Sequence, residues 1–254
     1  MAGRITLRYP HDARSLEPRP LRRSDIASLA LEVRDQLVRS GTAKLDVTTI
    51  IQATRQMYIN GIEYEAHWEL QKDLQGETGE PALGLVDFDK ELPKTVLVFL
   101  DEFEVRNRDY LARSTAAHEL AHLLFDAPGR LKKIERGEAL TSEQKASLML
   151  PKVQPKRGPS PNWIEWRADE FMGSLLAPAK VIHMHMLRVC IALRVPRRAN
   201  EWGRLMINGD KADNDLIQAV IDELAEIFGL SSQFIEYRLQ RYGFVHAQRD
   251  RFVA

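Results

Sequence analysis

The 254-residue sequence has a single cysteine, Cys190. One thiol excludes an intramolecular disulfide framework and points to a reducing compartment. There is no apolar run long enough to cross a bilayer. Residues 1–23 are polar, arginine-rich and broken by Pro10, Pro18 and Pro20, so they lack the apolar core of a secretory signal. A cytoplasmic protein without membrane association is therefore expected. There is no charge excess either. Lys+Arg and Asp+Glu number 36 each, which argues against a protein whose main task is to coat nucleic acid. No internal repeat or low-complexity tract is visible.

What the chain does have suits a folded protein with a real core: 44% hydrophobic and 28% charged residues. Charge is unevenly spread. Arg130 to Arg157 holds eight basic and three acidic residues, and Arg188 to Arg204 holds five arginines. Such stretches read first as solvated faces and second as surfaces that steer an acidic partner.

Taken in order, residues 1–23 read as an extended arm. Ser24 or Asp25 caps a first helix to about Val38, and a second runs from Val47 to about Tyr58, stopped by Asn60-Gly61. Residues 62–68, 82–88 and 95–100 read as strands of a small three-stranded, mostly antiparallel sheet. Asn107 caps a helix that ends near Pro128-Gly129. Residues 126–160 form a long basic connection, a candidate lid with a short helix near Thr141 to Leu150. Ser160-Pro161 opens a helix to Ala177, and Pro178 opens another to about Val195. Residues 196–254 read as a C-terminal helical region with helices over 213–228 and 232–242. The expected fold class is α+β, with the main domain over 24–195.

The chemistry is concentrated in Ser114 to Phe125, which contains His118-Glu119-Leu120-Ala121-His122. Histidines four apart share one face of a helix, so two neutral imidazoles can bind one zinc ion with Glu119 beside it as general base. The bland alternative is a helix with surface histidines, which the apolar helix around the motif disfavours. A catalytic zinc needs a third protein ligand and an open position. The metzincin extension requires Gly and His where this chain has Phe125 and Pro128, which excludes that class. Glu165 lies on a later helix, and Asp169 follows one turn on. Glu165 can complete the site while Asp169 fixes the tautomer of a ligand histidine, His118 by preference. Glu135, Glu138 and Glu143 have no rigid element to place them. His183 and His185 are two apart and diverge on a helix, and Cys190 reads as a core thiol.

The motif at 118–122 and the segment Glu165-Trp166-Arg167-Ala168-Asp169-Glu170-Phe171-Met172-Gly173-Ser174-Leu175-Leu176-Ala177-Pro178 resemble the ImmA/IrrE-type zinc metallopeptidases, a gluzincin-like family. The stretch from Leu224 through Gly229 to Gly243 resembles the usual end of that family. The chain departs from the pattern in Met172, where Ala is usual, and in its longer connection between the two metal helices.

The resemblance implies a zincin-like (minigluzincin) fold, one zinc ion per chain and peptide-bond hydrolysis. It implies a helix-turn-helix transcriptional repressor as substrate, whose cleavage derepresses stress, mobile-element or anti-phage genes. It offers Tyr237 and Arg238 as candidate oxyanion donors. It also allows a nucleic-acid activator, for which the basic stretch 130–157 is the place to look. Strand 95–100, just before the active helix, is expected to offer its edge to an extended substrate. The alternative is a DNA-binding regulator with a structural or vestigial zinc. Ala225, Gly229 and Ile235 fit helix-turn-helix spacing, and Gln233, Arg238, Gln240 and Arg241 would face DNA.

Overall fold

The computed structural model describes residues 4–72, 74, 81–89, 91–141, 149–151, 162–209 and 211–246. They form an α+β protein of two compact units, Met1–Ser40 with Leu45–Leu176, and Gly41–Lys44 with Ala177–Ala254. The division falls after Leu176, so the boundary expected at 195/196 lies inside the second unit. Among the described residues no single helix is long and apolar enough to cross a membrane.

The sheet of the first unit is larger than expected and mixed. Its strands are β1 (Ile5–Leu7), β2 (Met57–Ile59), β3 (Ile62–Gln71), β4 (Ala82–Phe88), β5 (Thr95–Asp101) and β6 (Met149–Pro151), in the order β1-β2-β3-β5-β4-β6. β1 runs parallel to β2 and β3 parallel to β5; the other neighbours are antiparallel. β4 and β5 alternate as their sequences require, with Ala82, Gly84, Val86 and then Val96, Val98, Leu100 turned inward.

Three departures from expectation have physical causes. Asn60-Gly61 is not a helix stop but the two-residue turn of the β2–β3 hairpin. Both residues have positive φ, +50° and +89°, which the short hairpin turn demands and Asn-Gly supplies. The second helix, α2, therefore spans only Val47–Ala53. The arm is not an arm: Ile5, Leu7 and Tyr9 alternate inward and are buried, with β1 paired to β2. Finally, the basic connection is partly built. Residues 127–135 are helical, and Met149 and Leu150, expected at the end of a helix, belong to β6. Thr141 is not helical, and residues 142–148 of that expected helix, Glu143 among them, and the Ser160-Pro161 helix start lie outside the described residues.

Besides α2, the helices of this unit are α1 (Arg23–Leu37), α3 (Glu102–Asn107), α4 (Asp109–Phe125), α5 (Ala127–Glu135) and α6 (Trp163–Leu176), of which α1, α3 and α4 pack on the sheet. α4 starts one residue later than expected, with Arg108 rather than Asn107 at its N-cap, because Asn107 ends the separate short helix α3, which Asp101 caps by accepting the Glu104 N–H. α4 packs on β4, and α6 packs on both α4 and α1. The Arg34 guanidinium of α1 donates to the Leu175 carbonyl at the C-terminal end of α6.

The second unit holds α7 (Ala179–Ala192), α8 (Asn214–Phe228) and α9 (Ser232–Arg241). It is not purely helical, since β7 (Arg197–Ala199), β8 (Leu205–Asn208) and β9 (Val245–His246) form a second sheet. Gly229 ends α8 in the left-handed conformation, and Ser231 caps α9.

The role of the first strand is open to measurement. Leu7 is fully buried, so Leu7→Ala is expected to lower stability by about 2–5 kcal/mol in a urea titration. A change under about 0.5 kcal/mol, the value for an exposed arm, would contradict the packing described.

Candidate metal centre

α4 is buried on all sides. Every residue from Thr115 to Phe125 is shielded from solvent, as expected of a helix apolar all round. Ala112, Ala116, Ala117 and Ala121 keep it thin, so sheet and helix can approach closely. Its C-terminal end is held by two buried tyrosines. The Tyr9 hydroxyl donates to the Leu124 carbonyl at 2.8 Å, and the Tyr64 hydroxyl donates to that of Leu123. These bonds satisfy carbonyls that the helix end leaves unpaired. Phe125 meets Phe171 of α6 edge-to-face at 5.5 Å.

This packing brings His118, His122 and Glu165 together. The two Nε2 atoms are 3.1 Å apart, and Glu165 lies 3.3 Å from His118 Nε2 and 3.5 Å from His122 Nε2. Each ring's other nitrogen faces a carboxylate. His122 Nδ1 donates to Asp126 Oδ2 at 2.9 Å. His118 Nδ1 lies 3.2 Å from Asp169 Oδ1, an off-axis contact short of a straight hydrogen bond. Carboxylates at both Nδ1 atoms favour the tautomer with the proton there. Both Nε2 atoms then carry lone pairs, and these converge with the Glu165 carboxylate. Three acceptors without a donor repel unless a cation sits among them. The donor atoms lie within 4.8 Å of one another and could hold a metal ion.

Electrostatics agrees with the geometry. Burial opposes a charge on His118, but Asp169 and Glu165 outweigh it and push the imidazole up to about 10. Without metal, a proton serves as the missing cation. Burial pushes the Glu119 carboxyl up to about 7 against the pull of His122 and His118. Burial also works against the charge on Asp126, yet Arg167, His122 and Arg130 hold its carboxyl below the usual range.

Glu119 is fully buried, and among the described residues neither carboxylate oxygen has a hydrogen-bond partner. Its room comes from Gly84 on β4, where an added Cβ would stand 2.2 Å from Glu119 Oε1. Gly84 was legible as an isolated glycine inside a strand pattern, which marks a close approach. Asp126 was legible too, one helical turn after His122. Arg167, which binds the other oxygen of Asp126, has no such signal.

Other expected residues are placed elsewhere. Strand β5 is hydrogen-bonded to β3 on one side and β4 on the other, so it has no edge to offer a substrate. The strand lying against Glu119 is β4. Tyr237 and Arg238 belong to the second unit. Arg238 is 2% exposed and its guanidinium is bound to the Tyr242 hydroxyl, which leaves it little surface to offer DNA. Tyr237 is exposed and lies under the Arg241 guanidinium. Glu135 and Glu138 are exposed, Glu135 pairing with Lys132. Within the second unit, His183 bonds the Leu205 carbonyl, and burial raises the Cys190 thiol to about 11, fitting an inert core thiol.

Searches against protein-family models and against curated proteins find no match to this chain.

Because His118 holds a proton at neutral pH in the metal-free protein, metal uptake must expel it. Calorimetry in buffers of different ionisation enthalpy is expected to show about one proton released per metal ion at pH 7. Affinity should rise about tenfold per pH unit between pH 6.5 and 8.5. A pH-independent affinity would place the metal elsewhere.

Proposed function

We propose that the chain is a zinc-dependent endopeptidase with a zincin-like catalytic unit of the ImmA/IrrE type. The observation that carries this reading is Glu119. A buried carboxylate whose oxygens have no hydrogen-bond partner among the described residues, next in sequence to one metal donor and three residues before another, is costly to a fold. A structural metal site has no use for it, whereas a hydrolytic site needs a base there.

Two imidazoles and one carboxylate suit zinc and leave a fourth position open. The two Nε2 atoms are 3.1 Å apart, Glu165 Oε2 lies 3.3 Å from that of His118 and Oε1 3.5 Å from that of His122, separations of the order expected between ligands that share one zinc ion at about 2.0–2.1 Å. Zinc bound there would acidify the attacking water and polarise the scissile carbonyl. Glu119 accepts the proton as water adds to the carbonyl carbon, then delivers it to the amide nitrogen as the C–N bond breaks. His118 and His122 are kept in the metal-binding tautomer by Asp169 and Asp126. Gly84 leaves the Glu119 carboxylate its place beside the reacting atoms.

The resemblance at residues 118–122 and 165–178 supports the narrower reading. The substrate is a helix-turn-helix transcriptional repressor, cut in the cytoplasm to release stress, mobile-element or anti-phage genes. The rival DNA-binding reading is weakened by the burial of Arg238.

The test is metal analysis combined with cleavage of repressors encoded near the gene. Glu119→Gln is expected to retain zinc and lose at least about 100-fold in cleavage. Gly84→Ala should mimic it, since the new methyl displaces the base and spares the ligands. Glu165→Gln should weaken zinc binding itself. Zinc-free protein, or a Glu119→Gln variant that cleaves as well as wild type, would end the peptidase reading.

A further inference from the structure

Asp126 stands where α4 ends and α5 begins, a position at which an aspartate ordinarily caps the following helix. Here it makes no side-chain capping bond to α5. One oxygen accepts from His122 Nδ1, and the other is bound by the Arg167 guanidinium. Its backbone N–H also bonds the His122 carbonyl at 2.9 Å. Arg167 lies two residues after Glu165 on α6, and its guanidinium sits over the Phe125 ring, 5.4 Å from the centroid. It therefore grips the end of α4 through both Phe125 and Asp126. All of these groups are shielded: Asp126 is 9% exposed, and the Arg167 side chain 13%.

A charge pair withdrawn from water adds little stability compared with an apolar pair of the same shape. Its retention therefore calls for a reason other than stability. The sequence distance supplies one. Glu165 is 43 residues beyond His122, and the third donor must arrive within a few tenths of an ångström of its place.

Resting on the zinc metallopeptidase reading, we propose that Asp126 and Arg167 form a positioning pair: Asp126 fixes the tautomer and tilt of His122, and Arg167 transmits that position to α6, setting where Glu165 meets the two histidines. Neither residue binds metal or substrate. Arg167 touches no metal donor, yet its loss loosens the centre.

The experiment measures metal rather than turnover. Zinc affinity is read by competition with a chromogenic chelator, and site geometry by the visible absorption of the cobalt-substituted protein. Asp126→Ala and Arg167→Met are each expected to weaken zinc by about 10- to 100-fold and to shift or broaden the cobalt bands. Arg167→Lys, which keeps the charge but not the planar fork, should recover part of the loss. Asp126→Asn, nearly isosteric, gives the same test if the alanine variant fails to fold. Arg113→Met is the control, removing a buried arginine from α4 outside this network. It should lower Tm and leave zinc affinity unchanged.

Wild-type affinity and cobalt spectra in both Asp126→Ala and Arg167→Met, with only Tm lowered, overturn the pair and leave the metal centre standing. Wild-type protein that binds no zinc overturns the centre and the pair together. If zinc affinity falls as expected but Glu119→Gln still cleaves, the positioning pair stands and the peptidase reading fails.

Discussion

In the tautomer that their carboxylate partners favour, three hydrogen-bond acceptors meet inside this fold, and a metal ion or a proton must sit among them. The Nε2 atoms of His118 and His122 and the carboxylate of Glu165 lie 3.1–3.5 Å apart, a spacing that repels in the absence of a cation. Everything nearby can be read as the means of enforcing it. α4 is thinned by alanines and sealed on all sides. Tyr9 and Tyr64 occupy its last carbonyls, so the end carrying His122 is fixed. Arg34 does the same for α6 from the opposite end. A site that opposes folding needs rigid surroundings, because the local interactions would otherwise relax it.

The sheet contributes through absence of mass. Gly84 lacks the one atom that would exclude Glu119. A glycine inside a strand forfeits about 0.5–1 kcal/mol of local preference relative to alanine, and the carboxylate it accommodates is itself destabilised by burial. Two unfavourable choices fit each other and nothing else in the unit. Their coincidence is stronger evidence of selected chemistry than either alone. It also moves attention from β5, which lies between two partners, to β4, the strand that lies against Glu119.

Much of this was legible before any coordinates. Histidines at i and i+4 must share a helix face, and the paired acidic residues 165 and 169 must share another. Those rules located both helices of the candidate metal site, β3 followed from plain alternation, and β4 and β5 read as strands from their short apolar runs. Long-range pairing was not legible. Ile5, Leu7 and Tyr9 alternate as a strand should, but prolines nearby masked the signal, and no local rule says that β1 lies parallel to β2. Asn60-Gly61 carries the same two letters whether it stops a helix or closes a hairpin. Only the strands on either side decide, and Met57-Tyr58-Ile59 is too short to announce itself. Arg167 faces the same limit: an arginine between two acidic residues on a helix is ordinary until the end of another helix arrives beside it.

In the proposed hydrolase, the placement of charge is what would separate catalysis from mere metal storage. A site built only to hold an ion gains from every added donor and would fill its fourth position with a further side chain. Among the described residues, only three donors converge here. A further carboxylate, Glu119, is held near them without joining the group. Burial raises its proton affinity toward neutrality, to about 7, the range in which a group accepts and returns a proton with least bias at cellular pH. A cation beside it would draw that value down, so the raised value is a reserve against the ion's own pull. A carboxylate that is buried, unpaired, close to a cation site and tuned toward neutrality has the properties of a base and few of those of a structural residue.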